Sequence, residues 1–365
     1  MESFVYTASP SRVVFGPGAS SKLPDELARE GRQAALILST SFQVGEAERL
    51  RTLLGPKAVG VFSEAAMHTP TEITDKAVAY AQSLNADCVV SVGGGSTTGL
   101  GKAISIRTGL LHICIPTTYA GSEMTPILGE TSAGRKTTRR DPRILPAVVI
   151  YDVDLTTTLP PGMSATSGVN AIAHAVEALY APDTNPIIRL LAKEGTRALA
   201  ESLPIIVAAS TGDSTAQATL PAARSKALYG AWLCGLCLGS TAMSLHHKLC
   251  HVVGGSFNLP HAETHTIILP HAVAYNGPAV PAAMADLAEV LPGSEGDAVK
   301  GLNVLLERLG VERALQKYGM REEQVAEAAA IAMENKYVNV RDVDQEKIRE
   351  LIRRAWAGEP ARGDL

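Results

Sequence analysis

Over its first 160 residues the chain alternates short β-rich runs with helical patterns, which restricts this part to a mostly parallel sheet covered by helices. The runs are RVVF at 12–15, AALILS at 34–39, VGVF at 59–62, CVVSVG at 88–93, HICIP at 112–116 and AVVIYD at 147–152. After Pro160-Pro161-Gly162 the pattern changes to Ala- and Leu-rich stretches of helical spacing, among them AIAHAVEAL, IRLLAKEGTRALAESL and KIRELIRRAWAG. The expected architecture is an α/β, Rossmann-like N-terminal domain over residues 1–160 followed by an all-α C-terminal domain over 161–365. The Pro-Pro-Gly hinge is the natural boundary, and the cleft beside it the expected site.

Composition narrows the function. With 365 residues, 46% hydrophobic and 19% charged, the chain can bury a sizeable core. A net charge of -4 supplies no overall basic field, so nucleic acid is not an expected partner. The opening MESFVYTASPSRVVFG lacks a basic stretch followed by an apolar run, and no segment holds about 18 uninterrupted apolar residues, so neither export nor a membrane span is expected. The five cysteines, an odd number without a signal peptide, argue against a disulfide framework and for a reducing cytoplasm. Cys234 and Cys237 form a C-G-L-C pair inside the apolar run LYGAWLCGLCLGSTAM, which reads as buried helical cysteines rather than a redox or metal motif.

The strand CVVSVG runs directly into Gly93-Gly94-Gly95-Ser96-Thr97, and the TGLGKAISI that follows has helical character. In such a strand, glycine loop and helix, the glycines let the backbone approach a ligand closely. The free amides at the helix start attract a phosphate or pyrophosphate. A tight turn needing positive φ would use the same glycines; three in succession after a buried strand favour phosphate binding at Gly94, Gly95 and Ser96. The spacing is not G-x-G-x-x-G, so the ordinary Rossmann fingerprint is absent. A second strand, HICIP, ends in Thr117-Thr118-Tyr119-Ala120-Gly121-Ser122-Glu123, on the carboxyl edge where open α/β sheets bind ligands. The hydroxyls of Thr117, Thr118 and Ser122 suit ribose or nicotinamide amide groups, or equally the capping of their own loop. At the end of ALILST, Thr40 stands where NAD-selective dehydrogenases place a carboxylate against the adenosine ribose. An uncharged residue there implies that NADPH is accepted as well as NADH.

In the helical half, VNAIAHAVEAL sets Val169, Ile172, Ala173 and Val176 on one stripe and leaves Asn170, His174 and Glu177 together on another. The run LHHKLCHVVGG places His247 and His251 four apart, and His261 follows ten residues later. Two i,i+4 pairs and one further histidine converge in the manner of a metal site. A lone histidine is more often a surface or satisfied core residue, yet six of the nine histidines fall between 246 and 271, which makes coincidence the weaker account. His246, His265 and His271 are expected to be structural. Arg135, Lys136, Arg139, Arg140 and Arg143 cluster around a single carboxylate, Asp141, as a solvated loop or hairpin or as a patch for an anionic ligand. Lys136 is the residue best suited to the cofactor or a substrate carboxylate.

Taken in order, GGGS at 93–96, TTYAGSE, SGVNAIAHAVEALY and HHKLCHVVGGSFNLPHAETHTIILPHAVAYN resemble the iron-containing alcohol dehydrogenase family over most of the chain. The resemblance implies that family's dehydroquinate synthase-like fold and an oxidoreductase using NADH or NADPH, with the N-terminal domain holding the dinucleotide. In metal-dependent members an Asp and three His bind a divalent ion. Matched residue by residue, those positions are Asn170, His174, His247 and His261, and the family's further histidine, beside the nicotinamide, matches His251. Asn170 departs from the pattern: an uncharged amide loses the charge that offsets stripping a hard ion of water, so no tightly bound metal is expected.

The same asparagine, MHTPTEIT at 67–74, the Tyr in TTYAGSEMTPI and RRDPRILP at 139–146 resemble one branch of the family. That branch reduces the carbon–carbon double bond of a small dianionic oxo acid in the bacterial breakdown of aromatic ring-cleavage products. Hydride addition to a conjugated alkene gives an enolate, less basic than the alkoxide from a simple ketone, and imidazole hydrogen bonds can stabilise it without a Lewis acid. The resemblance therefore implies that His174, His247, His251 and His261, with Asn170, orient the substrate and stabilise or protonate the enolate. A homodimer is the default assembly. The rivals are a metal-dependent alcohol or polyol dehydrogenase of the same family, a dehydroquinate synthase-type metal lyase, and a non-catalytic ligand-binding protein.

Overall fold

Eight strands form: Arg12–Gly16 (β1), Ala35–Leu38 (β2), Ala58–Phe62 (β3), Cys88–Gly93 (β4), Leu111–Pro116 (β5), Ile127–Ser132 (β6), Arg135–Arg140 (β7) and Val148–Asp152 (β8). They come from a computed structural model that describes residues 4, 6–8, 11–132, 135–334 and 337–365, without the side chains of Arg135 and Lys136. Six strands make one parallel sheet in the order β1-β8-β5-β4-β2-β3. The apolar runs of β2, β4, β5 and β8 are continuous because both faces are covered. Successive residues of a strand point to opposite faces. Ile37, Val90, Val92 and Ile113 pack with Leu23, Leu27 and Leu50, whereas Leu36, Leu38 and Val89 pack with Ala77, Ala81, Leu100 and Ile104. These covering residues lie on the helices Leu23–Arg29 (α1), Val44–Leu54 (α2), Thr71–Ser83 (α3) and Gly95–Thr108 (α4).

The strand order reverses between β2 and β4. From β2 the chain moves outward to β3, crosses back to β4 and then proceeds the other way to β5. The carboxyl ends of strands at such a switch point open a crevice for a ligand. The hairpin of β6 and β7 is antiparallel and stands apart from the sheet. Its strands, ILGETS and RKTTRR, lack an apolar alternation, so the sequence offered a hairpin only as one reading of the cationic cluster.

The chain divides into two compact units, Ala8–Leu159 and Pro160–Leu365, the second taking in the described residues before Ala8. The second unit is all helical: Pro161–Tyr180 (α5), Pro186–Ser210 (α6), Ser214–Ser240 (α7), Leu245–Phe257 (α8), His261–Asn276 (α9), Pro281–Val290 (α10), Ala298–Leu309 (α11), Gln324–Glu334 (α12) and Gln345–Ala357 (α13). Side chains of Asn185, Asp213, Asp297 and Asp344 cap α6, α7, α11 and α13 by accepting first-turn amides. Helix α5 is apolar nearly all round and buried, and α8, α9, α12 and α13 share one core. Among the described residues no single helix is long and apolar enough to cross a membrane. All five cysteines are buried free thiols, with Cys234 and Cys237 on α7.

Helices α6 and α7 approach through glycines. A Cβ on Gly230 would lie 2.9 Å from the Gly195 carbonyl oxygen and 2.9 Å from Leu199 Cγ. Helix propensity alone favours Gly230→Ala by about 1 kcal/mol. The backbone atom opposite cannot yield cheaply, so overpacking is expected to reverse the sign and cost about 1–3 kcal/mol. A urea unfolding curve shifted to lower midpoint at unchanged slope would bear this out, and a shift upward would refute the close crossing.

Candidate active site

The first group of site residues lies over the carboxyl ends of β2, β4 and β5. Gly93 has φ +145°, and a Cβ there would meet Gln43 Oε1 at 2.5 Å and Thr97 Oγ1 at 2.7 Å, so only glycine fits. Gly94 is the N-cap of α4 and makes no side-chain cap, which leaves the amides of Gly95, Ser96 and Thr97 without intrahelical acceptors. Gly95 faces open space, with nothing within 4 Å of its would-be Cβ. Gln43 Nε2 donates to Thr117 Oγ1 at 2.8 Å, and Thr40 Oγ1 donates to Gln43 Oε1 at 3.3 Å. Thr117 N donates to the Gly93 carbonyl at 3.0 Å. Thr40, the glycine loop and Thr117 are thus brought together, joined by Gln43, a single polar residue that carried no sequence signal. Thr118 Oγ1 and Ser122 Oγ are buried without a hydrogen-bond partner. The Lys136 side chain lies outside the described residues; Arg139 and Arg140 are exposed, and Arg143 pairs with Asp141 at 2.6 Å.

The second group is built on three helices of the other unit: Asn170, His174 and Glu177 on α5, His246, His247 and His251 on α8, and His261 and His265 on α9. Ring centroids of His174 and His247 are 5.2 Å apart, those of His247 and His251 6.2 Å, and those of His261 and His265 4.2 Å. His246 and His265, expected to be structural, belong to this cluster. The His265 ring lies 4.9 Å from His246, 5.0 Å from His247 and 6.5 Å from both His174 and His251. The ring nitrogens of His246, His247 and His265 fall within 4.8 Å of one another, the one such grouping among the described residues. His271 has no place in it.

Glu177 organises the cluster. It is fully buried and accepts from Ser244 N at 2.9 Å, His246 N at 2.7 Å and His247 Nδ1 at 2.7 Å. The sequence placed Glu177 on the stripe of Asn170 and His174 without giving it a role; a carboxylate inside an apolar helix was the available signal. The bonds fix proton positions. His246 Nε2 faces the His265 carbonyl at 3.0 Å and must donate, so its Nδ1 is bare. His247 then carries its proton on Nδ1, shared between Glu177 and His246 Nδ1 at 3.4 Å, and its Nε2 is a free lone pair.

Burial drives these rings neutral. His174 and His265 are held well below the ordinary histidine value by desolvation and then by neighbouring imidazoles, while desolvation first and then His247 bring His246 to about 4. His247 is brought to about 3 by desolvation and the nearby His251. Glu177 is pushed up by its own burial, against which the three N–H donors favour the carboxylate. Asn170 Oδ1, His174 Nδ1, His247 Nε2 and both His265 nitrogens are buried without partners. Such unsatisfied buried atoms call for a partner, which a polar ligand can supply.

The glycine loop of the α/β unit and the buried imidazoles of the helical unit are the two polar features that the chain offers for chemistry. Residues 10–153 match the iron-containing alcohol dehydrogenase family and residues 164–356 its C-terminal region; the chain belongs to that family. It is 53% identical over 358 residues to a maleylacetate reductase of Rhizobium sp., covering 98% of this chain and 99% of that one. It is 52% identical over 357 residues to the maleylacetate reductase of Sphingobium indicum, with 98% of each covered. The crystal structure of maleylacetate reductase from Agrobacterium tumefaciens superposes with a TM-score of 0.93 at 51% identity, over 99% of this chain and 100% of that one.

Replacing Glu177 by Gln sets an amide NH2 against N–H donors that now meet carboxylate oxygens. The expected cost is about 1–3 kcal/mol of stability. Turnover is expected to fall by about 10–100-fold, the usual effect of removing a carboxylate that orients an imidazole. Unfolding curves and steady-state rates test the two parts, and a variant with wild-type values in both would deny Glu177 this role.

Proposed function

We propose that the chain catalyses the NAD(P)H-dependent reduction of the carbon–carbon double bond of maleylacetate, giving 3-oxoadipate, in the breakdown of aromatic compounds. The observation that carries this reading is Asn170 in place of a carboxylate beside the matched histidines His174, His247 and His261, in a chain more than half identical to maleylacetate reductases over nearly its full length. Following NADH oxidation with maleylacetate, against 2-oxoglutarate, glyceraldehyde and short aldehydes, tests it. Turnover of the aldehydes but not of maleylacetate would favour the alcohol or polyol dehydrogenase reading.

The proposed roles divide by unit. Gly94, Gly95 and Ser96 hold the cofactor's pyrophosphate through free helix-start amides. Thr40 faces the adenosine ribose, Thr117, Thr118 and Ser122 the nicotinamide side, and Lys136 an anionic group. Bound NAD(P)H supplies the hydride. On the helical unit, His174, His247, His261 and Asn170 orient the dianion and its developing enolate. His174 and His247 are buried and held neutral, so proton delivery to the carbon falls to one of the two exposed rings, His251 or His261, which can be reprotonated from water. We take the working form to be a cytoplasmic homodimer, in keeping with the five buried thiols.

The family's iron does not fit this donor set well. Asn170 offers a neutral oxygen and the other matched positions offer imidazoles, so no ligand carries the negative charge a hard divalent ion needs. The nearest carboxylate, Glu177, is already committed to three N–H donors. Purified enzyme is expected to hold well under one equivalent of iron or zinc and to stay active after prolonged EDTA treatment. Loss of activity restored by one particular divalent ion would overturn this. Asn170→Asp is expected to raise zinc affinity and to slow reduction of the dianion through like-charge repulsion.

At the cofactor's other end, Thr40 has no charge to repel a 2′-phosphate. NADH and NADPH are expected to be used with efficiencies within about an order of magnitude, and Thr40→Asp is expected to penalise NADPH alone. A preference of about a thousandfold for NADH in the wild type would show that another group reads the ribose.

A further inference from the structure

A buried lysine in the α/β unit has no part in the roles above. Lys102 lies on α4, two turns beyond the glycine loop, and is 1% exposed. Its Nζ donates to the carbonyl oxygens of Ser122 at 2.6 Å and Ile127 at 2.8 Å and to Thr125 Oγ1 at 2.9 Å. An ammonium has three N–H donors, and all three are used on one six-residue segment. None goes to the sheet. Thr125 Oγ1 in turn donates to the Ser122 carbonyl at 3.0 Å, which closes the segment on itself. Its other side is tied by Glu123, buried, which accepts from Tyr151 Oη on β8 at 2.8 Å. Upstream the same loop carries Thr117, Thr118 and Ser122, and two of their hydroxyls are buried without a partner.

Burial of a cation is costly, and a methionine of similar length would fill the space without that cost. Desolvation pulls the Lys102 pKa down to about 7, with Cys114 on β5 and Glu123 opposing it. A group that costly, bonded only to the loop at the carboxyl edge, is placed for the loop rather than for the core.

We propose that Lys102 is a positioning residue for the nicotinamide cofactor: its ammonium anchors Ser122–Ile127 to the helix whose start holds the pyrophosphate, and so presents the Thr118 and Ser122 hydroxyls to the cofactor's nicotinamide half. The inference rests on the cofactor reading given above. It makes α4 serve the dinucleotide twice, through its N-terminal amides and through a side chain two turns on.

The test is Lys102→Met, with NADH affinity read by fluorescence titration and KM for NADH and maleylacetate read separately. Cooperative unfolding is expected to persist. The NADH dissociation constant and KM are expected to rise by about tenfold or more, roughly the loss of one or two ligand hydrogen bonds, while KM for maleylacetate at saturating NADH moves by less than about threefold. A variant that unfolds earlier yet binds NADH as the wild type does would reduce Lys102 to core glue and overturn the proposal. If Lys102→Met does not fold, Thr125→Val removes one of the three acceptors; it is expected to weaken NADH by about threefold, and unchanged affinity there overturns the proposal equally. Gly94→Val separates the two levels of argument. If it weakens NADH and Lys102→Met does not, the Lys102 inference alone fails; if neither does, the cofactor reading fails with it.

Discussion

The helical site depends on a carboxylate that has lost its water. An unpaired ion in such surroundings would cost far more than a protein's whole net stability. Glu177 escapes that cost because the Ser244 and His246 amides and the His247 ring converge on it. Two of those donors open α8, whose N-cap residue Ser244 makes no cap of its own. Glu177 therefore caps α8 from another helix, at the end where the dipole favours negative charge. The same carboxylate that fixes the start of α8 also fixes the rotation and tautomer of His247, so helix placement and site chemistry are one constraint. The Ser244 hydroxyl extends it outward, donating to Asn339 Oδ1 at 2.7 Å, and Asn339 in turn forms a reciprocal amide pair with Asn276 on α9.

The α/β unit shows the complementary design, in which backbone rather than charge makes the site. Gly93 adopts φ +145°, and Gln43 and Thr97 fill the space its side chain would need. Packing of that kind brings β2, β4 and β5 to one rim and leaves amides of α4 facing outward. Anion binding at a helix start needs no cationic side chain. A protein of net charge -4 can for that reason bind a pyrophosphate without a basic patch at the loop.

What was legible in the sequence follows from how each part is held. The inner strands β2, β4, β5 and β8 announced themselves because burial on both faces forces unbroken apolar runs. The hairpin of β6 and β7 did not, because RKTTRR obeys no apolar period. Asn170, His174 and Glu177 were legible as one helical stripe, since a period of 3.6 residues fixes their common direction. His265 was not: α8 and α9 are separate helices, and no spacing within either says which of six histidines meet. Its ring lies at the middle of the cluster all the same, within 6.5 Å of His174 and His251 and nearer to His246, His247 and His261. Gln43 and Lys102 were invisible for a related reason. Each is a lone polar residue whose partners are fixed only by the tertiary fold.

Burial of so many imidazoles has a consequence for charge. Desolvation raises the energy of a proton on each ring, and the neighbouring imidazoles add to this, so His174, His246, His247 and His265 are all displaced toward the neutral form. Neutral rings and a neutral amide do not repel a dianion, and they offer both N–H donors and lone pairs. A carboxylate in place of Asn170 would change the balance, because its charge would call for a cation and would oppose the substrate's own. In the proposed reaction negative charge moves from hydride to a conjugated oxygen, where hydrogen bonds aimed in a water-poor site gain strength. The asparagine and the depressed imidazoles thus act in one direction: neither adds charge to a site whose one bonded carboxylate, Glu177, is already met by three N–H donors.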